Sequence, residues 1–222
     1  MNALRQLVAS VTVVSSILAA DAAAARPPEG GYFGFGLGYG AASGDRGVAM
    51  KPGSPGIPFT GNAYDEAVRT DFGSGLAFDI RFGYLAGPIA PELSLAGHGT
   101  LDFEDGAGYA TLGVRFHPLL LVDSLADLAF DASVFVAAGY GIGGYQPSVD
   151  DDGKGWQGFA LTFGLGATYD LSAKVRLGLD LRMVMPMYST FMIDWDDDVN
   201  ADPESTPSTF VFMPTLQIVA TF

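Results

Sequence analysis

Residues 32–40 read YFGFGLGYG. Successive side chains of an extended chain point to opposite faces. Phe33, Phe35, Leu37 and Tyr39 therefore share one face, and Gly34, Gly36, Gly38 and Gly40 share the other. Such a strand needs surroundings that accept bulky apolar groups on one side and leave almost no room on the other.

The same alternation recurs along the chain. Stretches 76–84 (LAFDIRFGY), 88–98 (PIAPELSLAGH), 110–117 (ATLGVRFH) and 128–140 (LAFDASVFVAAGY) each set large apolar residues against small or charged ones, with Phe135 out of phase. Stretches 158–169 (GFALTFGLGATY), 173–185 (AKVRLGLDLRMVM) and 210–222 (FVFMPTLQIVATF) continue it. With residues 32–40 this predicts eight strands of about ten residues, the length a tilted membrane strand needs. Connections 41–73, 99–108, 141–157 and 186–208 are polar and mostly long, whereas 85–88 and 170–173 are tight and 118–127 is intermediate. Long loops on one side and short turns on the other is the arrangement of outer-membrane barrels.

Composition agrees with this pattern. Of 222 residues 49% are apolar and only 16% charged, mean hydropathy is +0.27, and 30 are glycine. Cysteine is absent, which excludes disulfides, thiolate metal sites and a cysteine nucleophile. A net charge of −14 opposes nucleic acid, whose phosphates it would repel. Residues 1–25 read as an export signal: Arg5, a mostly apolar run Leu7–Ala20, and Ala23-x-Ala25 for cleavage. A lone helix is the alternative, but Ser10, Thr12, Ser15 and Ser16 interrupt the run, which is short for a span. The barrel domain is then 26–222, with RPPEGG at 26–31 as lead-in.

A soluble β-sandwich also alternates. Its water-facing positions, however, rarely carry the Gly, Ala, Ser and Thr found here, since glycine weakens a solvated strand. Small residues suit the narrow interior of a closed eight-stranded barrel. Aromatic residues also sort to strand ends, with Tyr39, Tyr140, Phe159 and Phe210 near the loops and Tyr84, Phe116, Phe130, Tyr169 and Phe222 near the turns. Two girdles with aliphatic residues between them suit two membrane–water interfaces. The fold class is all-β: a transmembrane antiparallel up-and-down barrel of eight strands.

On these grounds the chain resembles the small eight-stranded outer-membrane proteins of the OmpA transmembrane-domain, OmpX and OmpW type. The terminal LQIVATF resembles that family's assembly signal, with Phe222 last and Ala220, Ile218 and Leu216 at alternate positions. The resemblance implies recognition of this strand by the barrel-assembly machinery. It also implies residence in the cell outer membrane with both termini periplasmic, among outer-membrane lipid and lipopolysaccharide. No peptidoglycan-binding domain follows the barrel in this sequence, so cell-wall anchoring is not expected.

Parity sends Asp79, Glu92, Asp131 and Asp180 into the lumen together with Arg81, Arg115, Lys174, Arg176 and Arg182. Unpaired charges there would be costly, so pairing is expected. Were the tight turn to pair Tyr84 with Ile89, Arg81 would face Glu92, and a similar count places Arg115 opposite Asp131. The structural reading is a salt-bridged plug. The functional reading is a gate in a narrow channel for small or apolar solutes, with glycine-lined space above the charged layer.

Enzymatic chemistry has one candidate, His98 near Thr100, Asp102 and Glu104 at the loop rim, residue types a hydrolase needs but at an undiagnostic spacing. His117 also faces inward, at the turn end. Acidic loops offer a divalent-cation site at Asp150, Asp151 and Asp152 and at Asp194, Asp196 and Asp198. Val199 stands where a calcium loop wants glycine, and Ser205 where it wants glutamate. Trp156 and Trp195 are expected in these loops. No other cofactor is expected, and the GFGLGYG glycines do not form a nucleotide loop because no helix follows. The expected role is non-enzymatic: a structural or surface-interaction protein with acidic extracellular loops.

Overall fold

The computed structural model describes residues 29–44, 73–102, 104–122, 125, 128–145, 154–193 and 209–222, with backbone alone at 154 and 191–193. Eight strands follow in chain order: β1 (Gly30–Gly44), β2 (Gly75–Leu85), β3 (Ile89–Gly99), β4 (Asp105–Phe116), β5 (Phe130–Tyr145), β6 (Lys154–Asp170), β7 (Val175–Ile193) and β8 (Thr209–Thr221). Each pairs antiparallel with its neighbour, and β1 pairs with β8, so the sheet closes. Closure removes every unpaired edge, which is what a sheet in hydrocarbon requires.

The apolar side of each alternation faces outward. Leu37, Leu76, Phe82, Leu112, Val136, Leu165, Leu216 and many like them are among the exposed large side chains. Water would not tolerate such a surface on a soluble domain; a bilayer is its solvent. Among the described residues no helix is long and apolar enough to cross a membrane, and the strands do the spanning. Both aromatic rings face outward, from Tyr39, Tyr140, Phe159 and Phe210 to Tyr84, Phe130, Tyr169 and Phe222. The band between them is less purely aliphatic than expected, because Phe35, Phe78 and Phe212 also lie in it.

Several strands outrun their expected ends on the loop side. β5, β6 and β7 have 16, 17 and 19 residues, against about 9–11 needed to span hydrocarbon. The predicted connection 99–108 shrinks to 100–104, since the glycine-rich run from Asp105 pairs with β3 and β5. Trp156 belongs to β6, not to a loop, and its side chain is fully buried. Gly/Pro-rich composition signals turns in water, but in a closed barrel the neighbouring strands override it. Pro214 does interrupt a ladder, however. The β1–β8 pairing lapses between Gly38↔Thr215 and Ala41↔Phe212, as expected of a residue without an N–H.

Register departs from the expectation at two places. Ala86 bridges Ile89 around Gly87, whose φ of 61° only glycine adopts freely. The hairpin is thus tighter than a Tyr84–Ile89 pairing, and Arg81 faces Ser94 while Glu92 faces Gly83. Between β4 and β5 a one-turn 3₁₀ helix, Pro118–Leu121, takes up part of the connection. Arg115 is consequently opposite Phe135, and Asp131 is not its partner.

The lumen is packed in three levels. At the loop end Trp156, Tyr188, Val184, Val211, Met213 and Tyr109 form a buried apolar cluster with four alanines. Charged and amide side chains fill the middle. At the turn end Tyr32, Leu85, Ala90 and Val219 pack together, and Leu120 of the 3₁₀ turn closes against them.

Candidate functional site

The middle level is where the inward charges meet. Because inward positions repeat every second residue, β1, β2, β3, β4, β7 and β8 each contribute polar groups to one slab of lumen. Asp180 on β7 is its hub. Its carboxylate accepts from Arg115 Nη1 at 3.1 Å, Arg81 Nη1 at 3.3 Å, Arg182 Nη2 at 3.4 Å and Gln217 Nε2 at 3.3 Å. Arg115 grips Glu92 with two parallel bonds, Nε to Oε2 at 2.8 Å and Nη2 to Oε1 at 3.1 Å, the geometry that makes arginine–carboxylate pairs strong and directional. Tyr32 donates its hydroxyl to Glu92 at 2.7 Å. Arg182 pairs with Asp79 at 2.9 Å and donates to Ser94 Oγ at 2.9 Å, while Gln217 donates to Asp79 at 2.8 Å.

Three carboxylates (Asp79, Glu92, Asp180) and three guanidiniums (Arg81, Arg115, Arg182) thus cancel. Asp180 and Arg182 are only 1% and 2% exposed. Phe135, out of phase in the sequence, points inward. Arg115 lies over its ring at 4.4 Å from the centroid and Arg182 at 4.9 Å, cation–π contacts that a desolvated setting strengthens. Gly34 leaves room for Arg81, and Gly166 for Arg115 and Ser133.

Nearer the turns, His117 Nδ1 and Asp131 Oδ2 are 2.6 Å apart, and Arg176 Nε and Asp170 Oδ1 are 2.8 Å apart. Between this level and the charged slab lies a cavity of about 30 Å³, whose lining includes Tyr32, Arg81, Arg115, His117, Ser133 and Thr168. It has room for a water or two, not for a solute.

All eight residues expected in the ion-pair network, namely Asp79, Arg81, Glu92, Arg115, Asp131, Arg176, Asp180 and Arg182, are buried and inward. Their partners differ from those counted along the sequence. Arg81 joins Asp180 rather than Glu92, Arg115 joins Glu92 and Asp180 rather than Asp131, and Asp131 joins His117. Lys174 lies exposed in the turn. Tyr32, Asp170 and Gln217 join these groups as well; alternation already puts Gln217 on the inward face of β8, and continuing the inward parity of β1 adds Tyr32.

His98 is buried and stacks on Tyr109, with centroids 6.2 Å apart and planes at 12°. Thr100 Oγ1 donates to the Asp105 carbonyl at 3.3 Å and accepts its N–H at 3.1 Å. That hydroxyl closes the 100–104 turn. Asp150, Asp151, Asp152, Asp194, Asp196, Asp198 and Trp195 lie outside the described residues. Among those described, no cluster of metal-ligating side chains occurs.

No protein-family model and no curated sequence matches the chain. Solved structures do. Neisserial surface protein A superposes with a TM-score of 0.56 at 8% identity, covering 86% of this chain and 97% of that one. Outer membrane protein OprG from Pseudomonas aeruginosa does so at 0.54 and 13%, covering 89% and 99%. The fold is that of the small outer-membrane barrels. At a TM-score of 0.40 and 7% identity, the outer membrane protease OmpT from Escherichia coli is also similar, covering 88% and 97%. Identities this low carry the architecture and leave the function of the barrel to its own residues.

Proposed function

We propose that this chain is a non-enzymatic integral protein of the outer membrane with a structural or surface-interaction role. The barrel is a plugged anchor that carries acidic loops to the cell exterior, with both termini periplasmic and Phe222 serving assembly. One observation carries the reading: the lumen is closed in series by an apolar cluster, a neutral charged slab and a leucine-capped turn end. The even strand number and the solved outer-membrane barrels of the same fold support the location. Outer-membrane lipid, lipopolysaccharide and the barrel-assembly machinery are the partners this reading implies.

Single-channel recording of the refolded barrel in a planar bilayer tests it. The expected result is no conductance steps from protein whose folding is verified by circular dichroism. Reproducible small steps that change in Phe135→Ala or Arg115→Gln would overturn the plug and make the barrel a narrow channel for small solutes.

A further inference from the structure

The cavity between the turn-end pairs and the charged slab is bordered by one sign of charge. Arg81 and Arg115 line it, while their partners Glu92 and Asp180 do not. Arg176 lines it and Asp170 does not; His117 lines it and Asp131 does not. Each pair thus turns its basic member toward the same space, and among the described lining residues none carries a carboxylate. Two donors there are uncommitted. Arg81 is 3% exposed, and its Nε has no hydrogen-bond partner among the described residues. Ser133 Oγ accepts from Arg115 Nη1 at 3.1 Å, which leaves its own proton to donate. Buried donors of this kind cost stability unless something accepts from them.

We propose that this cavity binds one halide ion, which in the cell envelope is chloride. The slab is neutral as a whole, but its guanidinium ends border this space, so a small anion there lies nearer to positive than to negative charge. A halide is only slightly larger than a water molecule and fits about 30 Å³, a space that excludes phosphate and organic anions. Guanidinium is always charged and weakly hydrated, and N–H and O–H donors to the ion offset the cost of stripping its water. Water alone would satisfy the donors and leave the concentrated positive charge without a counterion. The inference is separate from the surface role of the loops. The ion would hold the turn end of the plug together whichever partner the loops meet.

Refolding and crystallising the barrel in sodium bromide is the first test, because bromide scatters anomalously. One anomalous peak is expected in the cavity. Urea unfolding is the second. With ionic strength held by sodium gluconate, whose anion is too large to enter, a tenfold rise in chloride above its dissociation constant is expected to raise stability by about 1.4 kcal/mol, the linkage of one bound ion. Gluconate alone is expected to leave the midpoint constant, as enclosed ion pairs require. Ser133→Ala removes one donor and leaves every ion pair in place, and Arg81→Lys keeps the charge but removes the Nε donor. Each is expected to weaken chloride about tenfold. Lys174→Gln, which removes an exposed cation of the turn, leaves the linkage unchanged. No peak in the cavity, or a midpoint indifferent to chloride, overturns the proposal and leaves water as the occupant. A peak without the linkage marks an adventitious ion only and overturns it too, as does chloride affinity unchanged in the folded Ser133→Ala protein.

Discussion

At the scale of single residues, the charged slab behaves as one unit because its members have no alternative partners in water. Removing one member of a buried pair strands the other, at a cost of about 3–5 kcal/mol. Arg115→Met is expected to lower unfolding free energy in urea by that much, since Glu92 and Asp180 both lose their shortest guanidinium contacts. Adding Glu92→Gln should restore part of the loss. An additive double mutant would show that the two do not interact. Glycines differ from one another in the same way. A Cβ on Gly38 would fall on the carbonyl oxygen of Pro214, whereas one on Gly108 meets open space. Gly38→Ala is therefore expected to destabilise by about 1–3 kcal/mol, and Gly108→Ala to leave the urea midpoint nearly unchanged.

At the scale of elements, strand length decides what the loop end of the lumen contains. The extensions of β6 and β7 bring Trp156 and Tyr188 together above the charged slab, filling the space that the alternative channel reading left open. Trp156→Ala would leave a void that the closed wall cannot collapse to fill, with an expected loss of about 3–5 kcal/mol on urea unfolding. A loss below about 1 kcal/mol would mean that this level contributes little packing. Hairpin geometry has an equally sharp effect: with a tight turn at Gly87, φ 61°, every β3 partner of β2 lies two residues from where a Tyr84–Ile89 pairing would put it.

For the whole molecule, burial of the ion pairs sets how stability responds to salt. Exposed charge pairs are screened as the Debye length falls from about 10 Å at 0.1 M to about 3 Å at 1 M. Pairs as enclosed as Arg182–Asp79 and Arg115–Glu92 are not. The urea midpoint of the refolded barrel in a nonionic detergent is expected to stay nearly constant across that range. A steep fall would place the stabilising charges at the surface instead.

The sequence by itself determined the period, and the period determined the class. Alternation in eight segments, small residues on one face, apolar residues on the other and aromatic ends admit few folds besides a membrane barrel, and parity alone sent all eight network residues inward. That information is local, since each residue's face depends only on its neighbours along the chain. What the tertiary structure decided is which residues meet. Asp180 gathers Arg81, Arg115 and Arg182 from three strands, and the Arg115 and Arg182 guanidiniums both meet the Phe135 ring. Such meetings depend on hairpin register, strand length and the stagger at which the wall closes, and a shift of two residues preserves every face while changing every partner.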